Sequence, residues 1–144
     1  MKFKLEESLG YLVRTVTRAL RARFNENLVK AGHEINFDEW SIIVTLWEND
    51  GQSQQYLGCV TLRDKASIKR LIDNLENRNL VLRIPDKTDR RQKLIYLTPG
   101  GKRLYQKLMP VVKETLTDAE QGIEPEHLAT CRDVLGKIIR NLTD

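Results

Sequence analysis

Basic side chains that could hold a phosphate backbone are concentrated in the middle of the chain. Residues 65–93 contain Lys65, Lys69, Arg70, Arg78, Arg83, Lys87, Arg90, Arg91 and Lys93, whereas residues 118–127 (DAEQGIEPEH) are acidic. Lysine and arginine neutralise phosphates, and arginine can also hydrogen-bond the edge of a guanine with two nitrogens. The formal net charge of +4 is compatible with an anionic partner. The clustering favours a nucleic-acid surface in this part of the chain.

The first group of these residues lies on a predicted amphipathic helix over residues 64–78, with Asp64 as its N-cap. Its apolar seam consists of Ile68, Leu71, Ile72 and Leu75. Asp73 and Glu76 dominate the second half of the polar face and would repel phosphates, so only the first half is expected in a DNA groove. The DNA contacts predicted from that half are Lys65, Ala66, Ser67, Lys69 and Arg70. An ordinary solvated helix surface is the alternative interpretation.

The second basic group lies in a turn, DKTDRR, between two predicted strands at residues 80–85 and 92–97. This pattern predicts a β-hairpin with a basic tip. Asp89 precedes Arg91 by two residues, so its carboxylate could brace the Arg91 guanidinium. Thr98 and Pro99 then mark the start of another helix, as cap and first helical residue. A simple hydrated hairpin remains the alternative.

Further helices are predicted on both sides of this region. Asn36 can cap a helix that ends at residues 49–51, and Ser53 can cap a short helix in which Gly58 permits close approach of its neighbour. Long amphipathic helices are predicted at residues 5–31, 99–121 and 125–142, the first closed by Gly32. The first is too long for so small a domain to cover, so its apolar seam indicates pairing with a second copy. The predicted fold class is mainly α with a small β-hairpin.

The wing residues Asp89-Arg90-Arg91, followed by Leu97-Thr98-Pro99-Gly100-Gly101, resemble the wing motif of the MarR family of bacterial transcriptional regulators. The resemblance covers most of the chain and is specific over residues 57–101. It implies one winged helix-turn-helix domain over residues 1–144. Residues 36–98 would form the DNA-binding part, with dimerisation helices at 1–32 and 99–144.

The same resemblance implies a function for individual residues. Arg91 would enter a minor groove with Asp89 as its support, and the backbone contacts would come from Lys87, Thr88 and Arg90. The protein would be a homodimeric repressor on a pseudo-palindromic operator in double-stranded DNA, released by a small phenolic or anionic effector. The candidate lining of an effector pocket is Trp40, Trp47 and Tyr56, for which a plain core position is the alternative.

Other classes of function find little support. The sequence has no glycine-rich phosphate loop, nucleophile elbow or metal-ligand spacing, so no enzyme activity, cofactor or metal is expected. Cys59 and Cys131 are expected to be half-buried in a reducing cytosol. The sequence shows no apolar run of membrane-spanning length and no signal peptide, which predicts a cytoplasmic location. The main alternative is a helical dimer that serves as a structural module or a nonspecific nucleic-acid or protein interaction module.

Overall fold

The computed structural model describes residues 1–143 and is built mainly from six α-helices and three short strands. The helices are α1 Leu9–Lys30, α2 Phe37–Glu48, α3 Gln54–Val60, α4 Lys65–Asn77, α5 Pro99–Glu120 and α6 Pro125–Thr143. The strands are β1 Gln52–Ser53, β2 Val81–Pro85 and β3 Lys93–Leu97. The predicted mainly α fold class is confirmed.

The first helix begins later than the sequence predicted. Residues Leu5–Glu7 form a single 3-10 turn, and α1 begins only after Ser8, whose hydroxyl accepts the backbone N–H of Tyr11. The predicted glycine cap at the other end is confirmed. Gly32 adopts φ +78°, its N–H bonds to the carbonyl of Val29, and the next N–H reaches Leu28. These two bonds satisfy carbonyls that the end of the helix leaves without partners.

The predicted hairpin is part of a three-stranded antiparallel sheet in the order β1-β3-β2. In the hairpin Val81 lies opposite Leu97 and Pro85 opposite Lys93, so the turn closes over residues 86–92. The two-residue strand β1 was not predicted, because it is too short to show an alternating pattern. It pairs Gln52 with Ile95 and thereby fixes the start of α3 beside the hairpin.

One hydrophobic core joins α2, α4 and the sheet to the end of α1 and the middle of α5. Its fully buried side chains include Leu28, Ile42, Ile43, Leu46, Leu57, Ile68, Ile72, Leu75, Ile95 and Leu108. Apolar surface removed from water contributes about 25 cal/mol per Å², so this cluster is the main stabilising contact of the winged-helix part. It holds α4 and the hairpin as one unit.

The outer helices carry apolar side chains that the core does not use. Leu9, Leu12 and Val16 on α1 are exposed, and so are Val134 and Ile139 on α6. None of the residues of α6 is buried, although the helix is 19 residues long. Over residues 1–143, no helix is both long and apolar enough to cross a membrane.

Candidate nucleic-acid interface

Helices α3 and α4 form a close helix-turn-helix unit. Ser53 caps α3 through the N–H of Tyr56 at 3.1 Å, and Asp64 caps α4 through the N–H of Ser67 at 2.7 Å. A Cβ atom on Gly58 would lie 3.1 Å from the backbone oxygen of Arg63, so the predicted need for a small residue there is confirmed. Leu62 turns the chain between the helices at φ +56°, in the left-handed region, with its side chain 92% exposed.

The first half of α4 presents the basic surface that the sequence predicted. Lys65, Ala66, Lys69 and Arg70 are exposed, whereas Ser67 is half-buried. Arg70 borders a polar cleft of about 290 Å³ that is also lined by Asn36, Asp38, Glu39, Arg63, Ser67, Leu71 and Asn74. Lys69 forms an ion pair with Asp73, with 2.8 Å between the ammonium and the carboxylate. The four exposed side chains can therefore contact a molecule that binds along the first half of α4.

The turn of the hairpin, here called the wing (residues 86–92), is organised by two aspartates. Asp86 accepts both the N–H and the hydroxyl of Thr88 at 3.0 Å, and these bonds hold the pKa of its carboxyl below the ordinary value. Asp89 accepts the backbone N–H of Arg91 at 3.1 Å. The carboxylate thus closes the local backbone turn, and it forms no ion pair with the Arg91 guanidinium among the described residues, so the guanidinium brace stays a prediction. Asp89 supports the shape of the wing, and the Arg91 side chain is exposed.

The wing and the start of α4 meet across a groove of about 460 Å³, here called the basic groove. Its lining is Ser53, Gln54, Gln55, Lys65, Asp89, Arg91, Gln92 and Lys93. The structure thus brings Lys65 from the helix and Arg91 from the wing to one groove. Lys87, Thr88 and Arg90 are exposed on the wing outside that lining. The glutamines and Lys93 were not predicted, because their place in one groove depends on how the hairpin packs beside α3 and α4.

Ion pairs from the first turn of α2 hold both ends of α4. Asp38 pairs with Arg63, just before α4, and with Arg21 on α1. Glu39 is only 4% exposed and pairs with Arg78 at 2.8 Å, past the end of α4. Acidic residues at a helix start ordinarily indicate only a favourable interaction with the helix dipole, so these ion pairs could not be predicted from the sequence.

The three aromatic residues predicted for an effector pocket are not gathered around one cavity. Trp40 and Trp47 both stack against Tyr105 of α5, with ring centroids 5.4 and 4.0 Å apart, so they are mainly packing residues. Tyr56 lies on α3 and is 39% exposed. Of the three, only Trp40 borders a cavity of about 150 Å³ between α1, α2 and α5, here called the ring cavity, which is lined by Leu20, Phe24, Phe37, Trp40, Val112, Thr115 and Leu116.

The cysteines differ from expectation as well. Cys59 and Cys131 are both exposed and form no disulfide. They lie on the outer sides of α3 and α6, which the core does not cover. The prediction that they are half-buried is therefore wrong.

Comparison with known proteins finds similarity to one family over this site. Residues 35–93 match the model of the MarR family. A MarR-family transcriptional regulator from Rhodococcus sp. RHA1 is 29% identical and superposes with a TM-score of 0.85 over 95% of this chain and 96% of that one. CouR from Rhodococcus jostii RHA1, solved bound to p-coumaroyl-CoA, is 28% identical with a TM-score of 0.81 over 95% of each chain.

A curated relative gives the same result over a shorter length. The HTH-type transcriptional regulator TtmR of Methylorubrum extorquens is 29% identical over 104 residues, or 72% of this chain. The match spans only 52% of the length of TtmR. With the matched segment and the shared fold, these similarities show that the chain has the winged-helix fold of MarR-family transcriptional regulators and that residues 35–93 resemble that family in sequence.

Proposed function

We propose that this protein is a MarR-family transcriptional regulator, a cytoplasmic homodimeric repressor that binds a pseudo-palindromic operator and is released by a small phenolic or anionic effector. The observation that carries the proposal is the basic groove, because it presents cations from the helix and from the wing side by side. A helix-turn-helix unit inserts the start of its second helix into the major groove. A wing beside that helix is then in reach of the adjacent backbone and minor groove.

The proposed contacts divide into two kinds. Arg70 would read a base edge, with Ala66 and Ser67 beside it, while Lys65 and Lys69 would contact phosphates. On the wing, Arg91 would enter the minor groove. Lys87, Thr88 and Arg90 would contact the backbone, and Asp89 would hold the shape of the turn.

Selection of duplexes from a random library, followed by titration at physiological salt, tests this proposal. A specific regulator binds its selected duplex roughly 10³-fold or more tightly than random DNA. Arg70→Ala is expected to cost about 1–3 kcal/mol and to relax the preference at one position per half-site. Lys65→Ala is the comparison, since loss of a phosphate contact weakens all sequences alike. Equal affinity for selected and random DNA would instead support the nonspecific interaction module.

The proposed dimer rests on the uncovered apolar surface of the outer helices. Ile139 is 60% exposed and Leu142 is 79% exposed on a helix without buried residues. Uncovered apolar surface of this kind marks a contact with another molecule. We propose that a second copy of the chain covers this surface, because a palindromic site needs two winged units related by a two-fold axis. Light scattering at micromolar concentration should give twice the chain mass, and a stable monomer would contradict the proposal.

The proposed effector site is the ring cavity. This cavity opens to the surface and is lined almost entirely by apolar and aromatic side chains, which suits an aromatic effector. The Arg21 guanidinium, which pairs with Asp38, lies 5.4 Å from the centre of the Phe37 ring at the edge of the cavity. CouR binds a phenolic acyl thioester, so p-coumarate and p-coumaroyl-CoA are suitable first probes. Release of the selected duplex by a probe, and loss of that release in Trp40→Ala, would support the site.

A further inference from the structure

The guanidinium of Arg83 on β2 bonds to side chains of both α3 and α4, the helix that is proposed to face DNA. Its Nε donates to the side-chain oxygen of Gln54 on α3 at 3.1 Å. Its two terminal nitrogens lie 2.6 Å from Asp73 and 2.9 Å from Glu76, both on α4. The Arg83 side chain is only 13% exposed, so it is too enclosed to serve as a DNA contact itself.

Asp73 is shared between this guanidinium and a predicted DNA contact. One of its oxygens faces Arg83, and the other pairs with Lys69 at 2.8 Å. Hydrogen bonds from Lys69, and next from Arg83, hold the pKa of Asp73 below its ordinary value. Lys69 is 66% exposed, so its ammonium can move between this carboxylate and solvent.

Whether the Asp73 carboxylate stays neutralised depends on which of its two cationic partners, Lys69 or Arg83, moves away. When Lys69 turns away towards a phosphate, Asp73 keeps a cationic partner in Arg83 and no unpaired carboxylate is left beside the DNA. Without Arg83, Lys69 would be the only cation holding Asp73, and its departure would leave the Asp73 carboxylate unpaired near the phosphates. Like charges that approach in this way weaken association.

We propose that Arg83 is a positioning residue for DNA binding, which holds Asp73 so that Lys69 is free to contact a phosphate. This inference rests on the proposed docking of α4. Arg83 lies on β2 and does not touch DNA. The inference gives it a role in the affinity for DNA and in the salt dependence of that affinity.

The test is a set of charge variants titrated against the selected duplex at several salt concentrations. An exposed ion pair contributes up to a factor of about five, so Lys69→Gln is expected to weaken binding by about that factor. It should also make the fall of log affinity with log salt concentration less steep by about 0.9, the value for one phosphate contact. Arg83→Gln should reproduce both effects, although Lys69 is still present. In the Lys69→Gln background, Arg83→Gln should leave the salt slope unchanged.

The decisive variant is the double substitution Arg83→Gln with Asp73→Asn. It has the same net charge as the wild type, and it removes the carboxylate that would retain Lys69. Recovery of the wild-type salt slope and of affinity to within about twofold is expected. If Arg83 acted only by fixing the geometry of α3, α4 and β2, the double variant would stay as weak as Arg83→Gln, because Gln54 and Glu76 still lack their partner. That outcome would overturn the inference.

Controls separate this inference from protein stability and from the proposed function. Lys113→Gln removes an exposed cation from α5 and should change neither affinity nor slope beyond about twofold. If Arg83→Gln does not fold by circular dichroism, Asp73→Asn alone serves, and it should tighten binding; unchanged or weaker binding would refute the role of Asp73. If the wild type prefers no sequence, or Arg70→Ala has no effect, the proposed docking fails and this inference falls with it. If Arg70→Ala has its expected effect on DNA binding and Arg83→Gln has none, this inference is refuted and the proposed docking of α4 stands.

Discussion

Replacing Asp89 by asparagine and by alanine separates two ways in which this residue could support the wing. Its carboxylate accepts the backbone N–H of Arg91 at 3.1 Å, in an exposed turn. Asparagine has a side-chain oxygen in the same position and can accept the same bond, whereas alanine cannot. Asparagine and alanine both remove the negative charge from the basic groove. The two variants thus differ in the hydrogen bond and are alike in net charge.

The expected changes in DNA affinity follow from the hydrogen bond and from the charge. A neutral hydrogen bond contributes about 0.5–1 kcal/mol, so its loss corresponds to roughly a twofold to fivefold change. A unit charge about 8 Å from a phosphate contributes at most about 0.5 kcal/mol in water, and less at physiological salt. Asp89→Asn should therefore bind DNA as tightly as the wild type or up to about twofold more tightly. Asp89→Ala should bind about twofold to fivefold more weakly than Asp89→Asn.

Fluorescence anisotropy with the selected duplex at fixed ionic strength measures both constants. The informative quantity is the ratio of the two dissociation constants, because the change of net charge cancels from it. If the carboxylate acted on the Arg91 guanidinium, both variants would lose the ion pair and would weaken binding alike. A ratio near one, with both variants weaker than the wild type, would refute the backbone role.

Three further outcomes are expected. Ile139→Asp should give a monomer by light scattering with its helical circular dichroism retained, since Ile139 is exposed in the single chain, and Asn141→Asp on the same helix should remain dimeric. Asn79→Ala should lower the free energy of unfolding by about 1 kcal/mol in a urea titration, because residue 79 adopts φ +58°; Asn79→Gly should stay within about 0.5 kcal/mol of the wild type. Hydrogen bonds from two cationic side chains lower the pKa of Asp73, so its contribution to stability is complete above its ordinary pKa of 3.8 and is lost as the pH falls through the lower folded value. The stability difference between wild type and Asp73→Asn should accordingly shrink on acidification below about pH 4, and a difference independent of pH would contradict this.

The features that the sequence predicted well are local ones. Asn36, Asp64 and Thr98 each cap the helix that was expected to follow them. Asn79 follows the end of α4 and adopts a left-handed conformation, with φ +58°. A cap involves residues only three positions apart, so the sequence contains all the information that it needs.

The features that the sequence did not predict depend on residues far apart in the chain. Trp47 stacks on Tyr105, and Arg83 bonds to Gln54, across separations that no periodic pattern reveals. The hydrogen bond that Asp89 forms was not predicted for a different reason. A carboxylate two residues before an arginine can accept from its guanidinium or from its backbone N–H, and the sequence is the same in both cases.

Counting cations overstates how basic the proposed DNA-binding surface is. Arg78 and Arg83 point to buried or half-buried carboxylates, and Lys69 is paired with Asp73. Within the described residues, the cations of this region that form no ion pair are Lys65, Arg70, Lys87, Arg90, Arg91 and Lys93. All of them lie at the start of α4, on the wing or at its edge. Because paired cations release few counterions when DNA binds, the salt dependence of binding should follow these residues, with Lys69 joining them only when Arg83 holds Asp73. Positions of unpaired cations, more than the net charge of +4, therefore determine where this protein can hold DNA.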